Sequence, residues 1–193
     1  MPHLAADMWA LCVLAVVLLA AAVADIRSGK IQNVITYPAI AVGLIGHSLT
    51  GGVFGDGEAR IGLTGSLVGL AVGFGPLLVA WLAGGIGGGD AKLMAAVGAL
   101  TGWRFALAAM FYGFLIAAVM SLAVMIKRRI VRRTLVRVGR FLYLIFTPGR
   151  PADPATADSP KIAFGLALCL GSAAALVDVL LRGFAAEKLL LGI

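Results

Sequence analysis

Residues 61–103 read IGLTGSLVGLAVGFGPLLVAWLAGGIGGGDAKLMAAVGALTGW, and the number of membrane crossings turns on them. Residues 61–83 form an apolar run long enough to cross a bilayer, which takes about 20 residues. Glycines at 84, 85, 87, 88 and 89 follow, then Asp90 and Lys92. Ala91 to Trp103 is apolar again but short for a full span. It follows the glycines directly, so the expectation is a partial helix entering from a loop that dips into the bilayer. Such a loop is tolerated only where protein or a water-filled cavity surrounds it.

Outward from this stretch, further runs of spanning length lie at 4–24, 34–50, 104–126 and 162–181. The chain is 61% hydrophobic and 13% charged, against roughly 45–50% and 25% in a soluble domain. Its mean hydropathy is +1.03. These values predict an all-α integral membrane protein, a bundle of about six transmembrane helices. With only short links between runs, residues 1–193 read as a single polytopic domain. Ala22-Val23-Ala24 has the form of a signal-peptide cleavage site. Residues 1–8 carry no Lys or Arg, however, and the run is longer than a usual signal core, so it reads as a span.

Basic residues set the orientation. With the N-terminus outside and six crossings, twelve Lys and Arg fall on the cytoplasmic side, among them Arg27, Lys30, Lys92 and the cluster from Lys127 to Arg140. Arg60, Arg104, Arg182 and Lys188 stay outside. Five crossings would put the Lys127 cluster opposite Arg27 and Lys30, so charge as well as hydropathy argues for the sixth. The net charge of +7 is therefore read as topology and contact with anionic lipid, not nucleic-acid binding.

Within KRRIVRRTLVRVGRFLYLIF, residues 127–146, Val131, Leu135, Val138, Leu142 and Ile145 fall on one helical stripe, with the arginines on the other side. The segment is expected to lie in the cytoplasmic interface. Residues 147–160, TPGRPADPATADSP, form a Pro-rich loop. Cys12 and Cys169 sit within apolar runs and imply neither a disulfide framework nor a metal site.

On this topology Asp25, at the end of the first span, and Asp90, at the end of the glycine stretch, share a membrane face. Ionisable groups beside hydrocarbon are costly, and function is the usual reason for keeping them. Glycine disfavours helix and permits positive φ, so residues 84–89 are expected to leave backbone N–H and C=O groups free to pair with a peptide as an added strand. Lys92 is placed either to hold Asp90 ionised or to reach the interface. Two carboxylates facing each other in a partly dry site cannot both ionise easily. One can then take a proton from water while the other, protonated, polarises a scissile carbonyl. Neither metal nor cofactor is required. His3 and His47 are the only histidines and fall off the aspartate side, there is no H-E-x-x-H, and Ser66 has no base beside it.

Gly87-Gly88-Gly89-Asp90, continued by Ala91-Lys92, resembles the G-x-G-D-x-K motif of type IV prepilin peptidases, a family of intramembrane aspartic proteases. DIRSGKIQN, Asp25 to Asn33, is similar to their first catalytic segment, with Gln32 where proline is usual. KIAFGLALCLG, Lys161 to Gly171, is similar to the segment opening their last helix, with Ala163 in place of proline and Phe164-Gly165 kept. The resemblance implies catalytic Asp25 and Asp90, with Gly87, Gly89, Lys92, Lys30 and Asn33 in supporting loops. It further implies a site on the cytoplasmic face of the bacterial inner membrane and prepilin or pseudopilin substrates cut after a short basic leader. Larger members carry a cytoplasmic region with paired cysteines and also methylate the new N-terminus. Nothing here corresponds to it, so the chain looks most like the small peptidases of tight-adherence (Flp) pilus systems, which implies cleavage without methylation. The rival reading is a small ion-coupled transporter or channel with Asp90 at a broken helix.

Overall fold

A computed structural model describes residues 8–55, 60–132, 136 and 163–191, with side chains up to 181 in the last segment. The described residues form six helices: α1 (Met8–Ser28), α2 (Asn33–Gly51), α3 (Gly62–Leu82), α4 (Gly88–Thr101), α5 (Trp103–Lys127) and α6 (Phe164–Leu191). No strand occurs among them. All but α4 contain a stretch long and apolar enough to cross a membrane. The 21 residues of α1 rise about 31 Å, matching a hydrocarbon core of about 30 Å. The 14 residues of α4 rise only about 21 Å. The chain is a helical multi-pass membrane protein.

The chain divides into two compact units, one of residues 1–116 with 163–193 and one of residues 117–162. In the first, α4 is the buried centre: Ala91 and every residue from Leu93 to Thr101 are shielded from solvent. A helix that is apolar all round belongs inside protein, and α4 is walled by α2, α3, α1 and α6. It runs antiparallel to α3, where Gly69 meets Gly98 and Gly73 meets the Met94 carbonyl, in each case leaving no room for a β-carbon. Gly43 of α2 packs in the same way on Ala99. Small residues at these crossings let the backbones approach closely, the usual basis of helix association in lipid. Leu14, Leu77, Leu93, Met94, Leu100, Phe105 and Leu168 fill the remaining core. Leu19, Leu49 and Phe111 point outward and are largely exposed, as side chains facing lipid would be.

In the second unit the described residues are the last turns of α5 and the chain just beyond. The helix closes with the Ile130 N–H on the Met125 carbonyl at 3.0 Å, and Arg129 takes the left-handed position at φ 56° that glycine usually fills. Most of the basic segment at 127–146 and all of the loop at 147–160 lie outside the described residues.

Candidate active site

The first carboxylate sits in the last turn of α1. The helix runs through Asp25 to Ser28 rather than stopping at residue 24, and it closes on Gly29 at φ 62°, whose N–H reaches the Asp25 carbonyl oxygen at 2.8 Å. Asp25 is only 6% exposed. Gln32 then leads into α2 at φ −80° and ψ 143°, close to the conformation a proline would impose, so the turn keeps its geometry without the ring. Ala163 likewise replaces a proline without loss of helix start: its carbonyl accepts the Ala167 N–H at 3.3 Å.

Asp90 sits in the first turn of α4, three residues after the cap position Gly87. Its Oδ2 accepts the Gly87 N–H at 3.2 Å, satisfying one of the unpaired donors at a helix start. Residues 84–89 are thus not a free strand. The N–H groups of Gly84 and Gly85 return to carbonyls at the end of α3, both at 2.9 Å, and Gly88 and Gly89 are already helical. Gly84, Gly85 and Gly87 are exposed, so these bonds come from the acceptors within reach, the last carbonyls of α3 and the Asp90 carboxylate. Glycine at 89 is nonetheless required for another reason: a β-carbon there would lie 2.8 Å from the Ile31 carbonyl oxygen.

α6 joins the two carboxylates. The Leu166 N–H, in its first turn, donates to Oδ2 of Asp25 at 2.7 Å. One residue earlier, a β-carbon placed on Gly165 would lie 2.9 Å from Oδ1 of Asp90 and 3.0 Å from Oδ2 of Asp25. The two oxygens therefore stand no farther apart than the sum of those distances, about 6 Å, a range in which each carboxylate disfavours ionisation of the other. Asp90, outside the five long spans, is pushed up to about 6, first by burial and then by the Asp25 charge, while the Gly87 N–H pulls the other way.

Lys92 does not reach Asp90. Its Nζ donates to Oδ1 of Asn33 at 2.9 Å and lies 5.0 Å from the centre of the Tyr37 ring, pinning the start of α4 to the start of α2. Lys30 is exposed, and its carbonyl accepts the Ser28 hydroxyl at 3.1 Å. Gly87 and Gly89 flank the Asp90 turn. His47 and Ser66 bond the Leu100 and Ala99 carbonyls at the far end of α4, so neither belongs to this site. Among the described residues no cluster of three His, Cys, Asp or Glu is placed to hold a metal. Sequence reasoning missed Ile31 and the Leu166 N–H. The latter is a backbone group with no sequence signal, whereas Gly165 stood in the segment that resembled the family.

Two buried carboxylates brought together by three helices mark a multi-pass membrane protein with an ionisable pair at one end of its bundle. The family model described as the type IV leader peptidase family matches residues 12–122, a stretch that includes both aspartates and ends before α6. No curated protein and no solved structure matches the chain. The match covers more than half of the chain, which thus belongs to the type IV leader peptidase family: it is a membrane protease of that kind, and its substrates are prepilins.

Proposed function

We propose that the protein is an aspartic endopeptidase in which Asp25 and Asp90 are the catalytic pair. The observation that carries this reading is their approach on either side of Gly165. Asp90, pushed up to about 6 by burial and by Asp25, is the partner suited to hold the proton, which leaves Asp25 as the base. Asp25 takes a proton from water as the water oxygen adds to the scissile carbonyl carbon. Asp90 donates its proton toward the carbonyl oxygen, and the leaving amine departs with a proton passed back through the pair.

The substrate we assign is a type IV or Flp-type prepilin or pseudopilin, cut after its short basic leader and not methylated. The site would face the cytoplasm of a bacterial inner membrane, a reading supported by the excess of Lys and Arg on the aspartate side. The cluster from Lys127 to Arg140 would rest on anionic lipid there. A transporter built on Asp90 would call for a site near the bilayer midplane, whereas both aspartates lie in terminal turns of their helices.

Co-expression with Flp-type prepilins, read by the mass of the pilin product, tests this. Wild type should remove the leader, and Asp25→Asn and Asp90→Asn should each leave it in place, because Asn keeps the shape of Asp but cannot exchange its proton. Cleavage that survives either substitution would sink the aspartic mechanism.

A further inference from the structure

Gly165 differs from the buried glycines at the helix crossings. At Gly43, Gly69, Gly73, Gly98 and Gly171 an added β-carbon would run into the backbone of a facing helix, so there the missing side chain serves packing. At Gly165 it would meet side chains: Cδ1 of Ile31 at 2.8 Å, Oδ1 of Asp90 at 2.9 Å and Oδ2 of Asp25 at 3.0 Å. Gly165 is not among the residues with positive φ and stands in a helix, where alanine is the better former. Backbone conformation therefore gives no reason for glycine at 165. Room beside the carboxylates does.

Resting on the aspartic reading above, we infer that Gly165 is a positioning residue of the cleavage reaction. The missing side chain keeps open the space between Asp25 and Asp90 where the attacking water must accept and donate hydrogen bonds. Oxygens hydrogen-bond at about 2.5–3.0 Å, and the position a β-carbon at 165 would take lies at that distance from an oxygen of each carboxylate, so it is a place where a water can be held by both. The neighbouring Leu166 N–H fixes the Asp25 edge of that space. The first turn of α6 thus contributes to the site twice, once by a donor and once by an absence. A methyl group at 165 would leave the rest of the bundle in place but would displace the water or spread the carboxylates. Misplacement by about 1 Å is enough to cost ~100-fold in rate.

The test compares purified wild type, Gly165→Ala, Ile31→Val and the double variant Ile31→Val/Gly165→Ala on purified prepilin in detergent, with melting temperatures measured in parallel. Gly165→Ala should lose ~100-fold or more in kcat, with KM within about threefold of wild type and no fall in melting temperature. Valine at 31 lacks the Cδ1 that the new methyl would strike, so the double variant relieves that crowding and leaves the gap filled. It should remain as inactive relative to Ile31→Val as Gly165→Ala is relative to wild type.

Recovery of cleavage in the double variant would overturn the inference, since contact with Ile31 would then be the cause. Cleavage by Gly165→Ala within threefold of wild type would overturn it too, as would failure of both alanine variants to fold, which would make the glycine a packing requirement. Asp25→Asn and Asp90→Asn in the same assay separate the two proposals. If either cleaves, the aspartic reading falls whatever Gly165 does; if both are inactive and Gly165→Ala is active, only the gap is refuted.

Discussion

At the C-terminal end of α4 the buried polar side chains are donors: His47 gives to the Leu100 carbonyl at 2.9 Å, Thr101 to Val97 at 2.7 Å, and Ser66 to Ala99. At the N-terminal end they are acceptors, the carboxylates of Asp90 and Asp25, which take N–H groups from Gly87 and from Leu166 of α6. Helix polarity sets the difference. The last turn of a helix has carbonyls without partners and the first turn has N–H groups without partners. Meeting that need with hydroxyls and an imidazole bonded to carbonyls locks helices together. Meeting it with carboxylates leaves oxygens with further accepting capacity and protons to exchange. One rule of hydrogen-bond satisfaction thus makes one end of the bundle a clamp and the other, on the aspartic reading proposed above, a reactive centre.

The sharpest way to break that contrast is to neutralise the reactive end. Asp25→Asn and Asp90→Asn should lower prepilin cleavage by ~100- to 10,000-fold, while the melting temperature stays close to that of wild type, because an amide oxygen still accepts the N–H. At the clamp end the pattern should invert. His47→Leu leaves the Leu100 carbonyl without its donor and should cost about 1–3 kcal/mol of stability, read by thermal or denaturant unfolding in detergent, with kcat per folded molecule retained. A large loss of kcat in His47→Leu would show that the two ends are not separable.

Proton linkage gives a smaller effect. Burial and the Asp25 charge raise Asp90 from 3.8 to about 6, so the folded state binds its proton more tightly than the unfolded chain does. That contribution is fully present below about pH 4 and is lost as pH rises through about 6. Wild type should therefore lose stability across that interval relative to Asp90→Asn, by an amount on the order of 1 kcal/mol. Equal pH dependence in the two proteins would remove Asp90 as the proton carrier. The smallest change is expected at Lys92. Lys92→Met gives up the Asn33 bond and the Tyr37 contact and should reduce cleavage only by about two- to fivefold. The pH step should stay where it is, since Lys92 contacts α2 and not the Asp90 carboxylate. A displaced step would mean that its charge acts on Asp90 after all.

Much of this was legible in the sequence. The long apolar runs locate α1, α2, α3, α5 and the start of α6 to within a few residues, because hydrocarbon thickness fixes the length of a span and composition marks it; α6 continues past 181 to Leu191. The short run at 91–103 was correctly read as a further helix, although α4 begins earlier, within the glycines. The expectation of free backbone at 84–89 met a limit at Gly84, Gly85 and Gly87, whose N–H groups are taken by the end of α3 and by the Asp90 carboxylate, acceptors that local glycine propensity does not reveal. Lys92 shows the same kind of limit. Two positions from Asp90 in sequence, it points away because α2 offers Asn33 and Tyr37, and sequence distance does not encode direction.

What the chain determined by itself is its class and its cast of groups. Apolar runs of bilayer length can be buried only in lipid or in one another, and two aspartates stand beside such runs, where a charge is costly. What only the tertiary structure decided is how those aspartates meet. Their approach depends on α6, some 140 positions along the chain from Asp25, bringing one backbone N–H and one missing side chain between them. Packing of the whole bundle sets that arrangement, because a main-chain donor has no letter in the sequence and the letter for Gly165 does not say which side chains its missing β-carbon would have met.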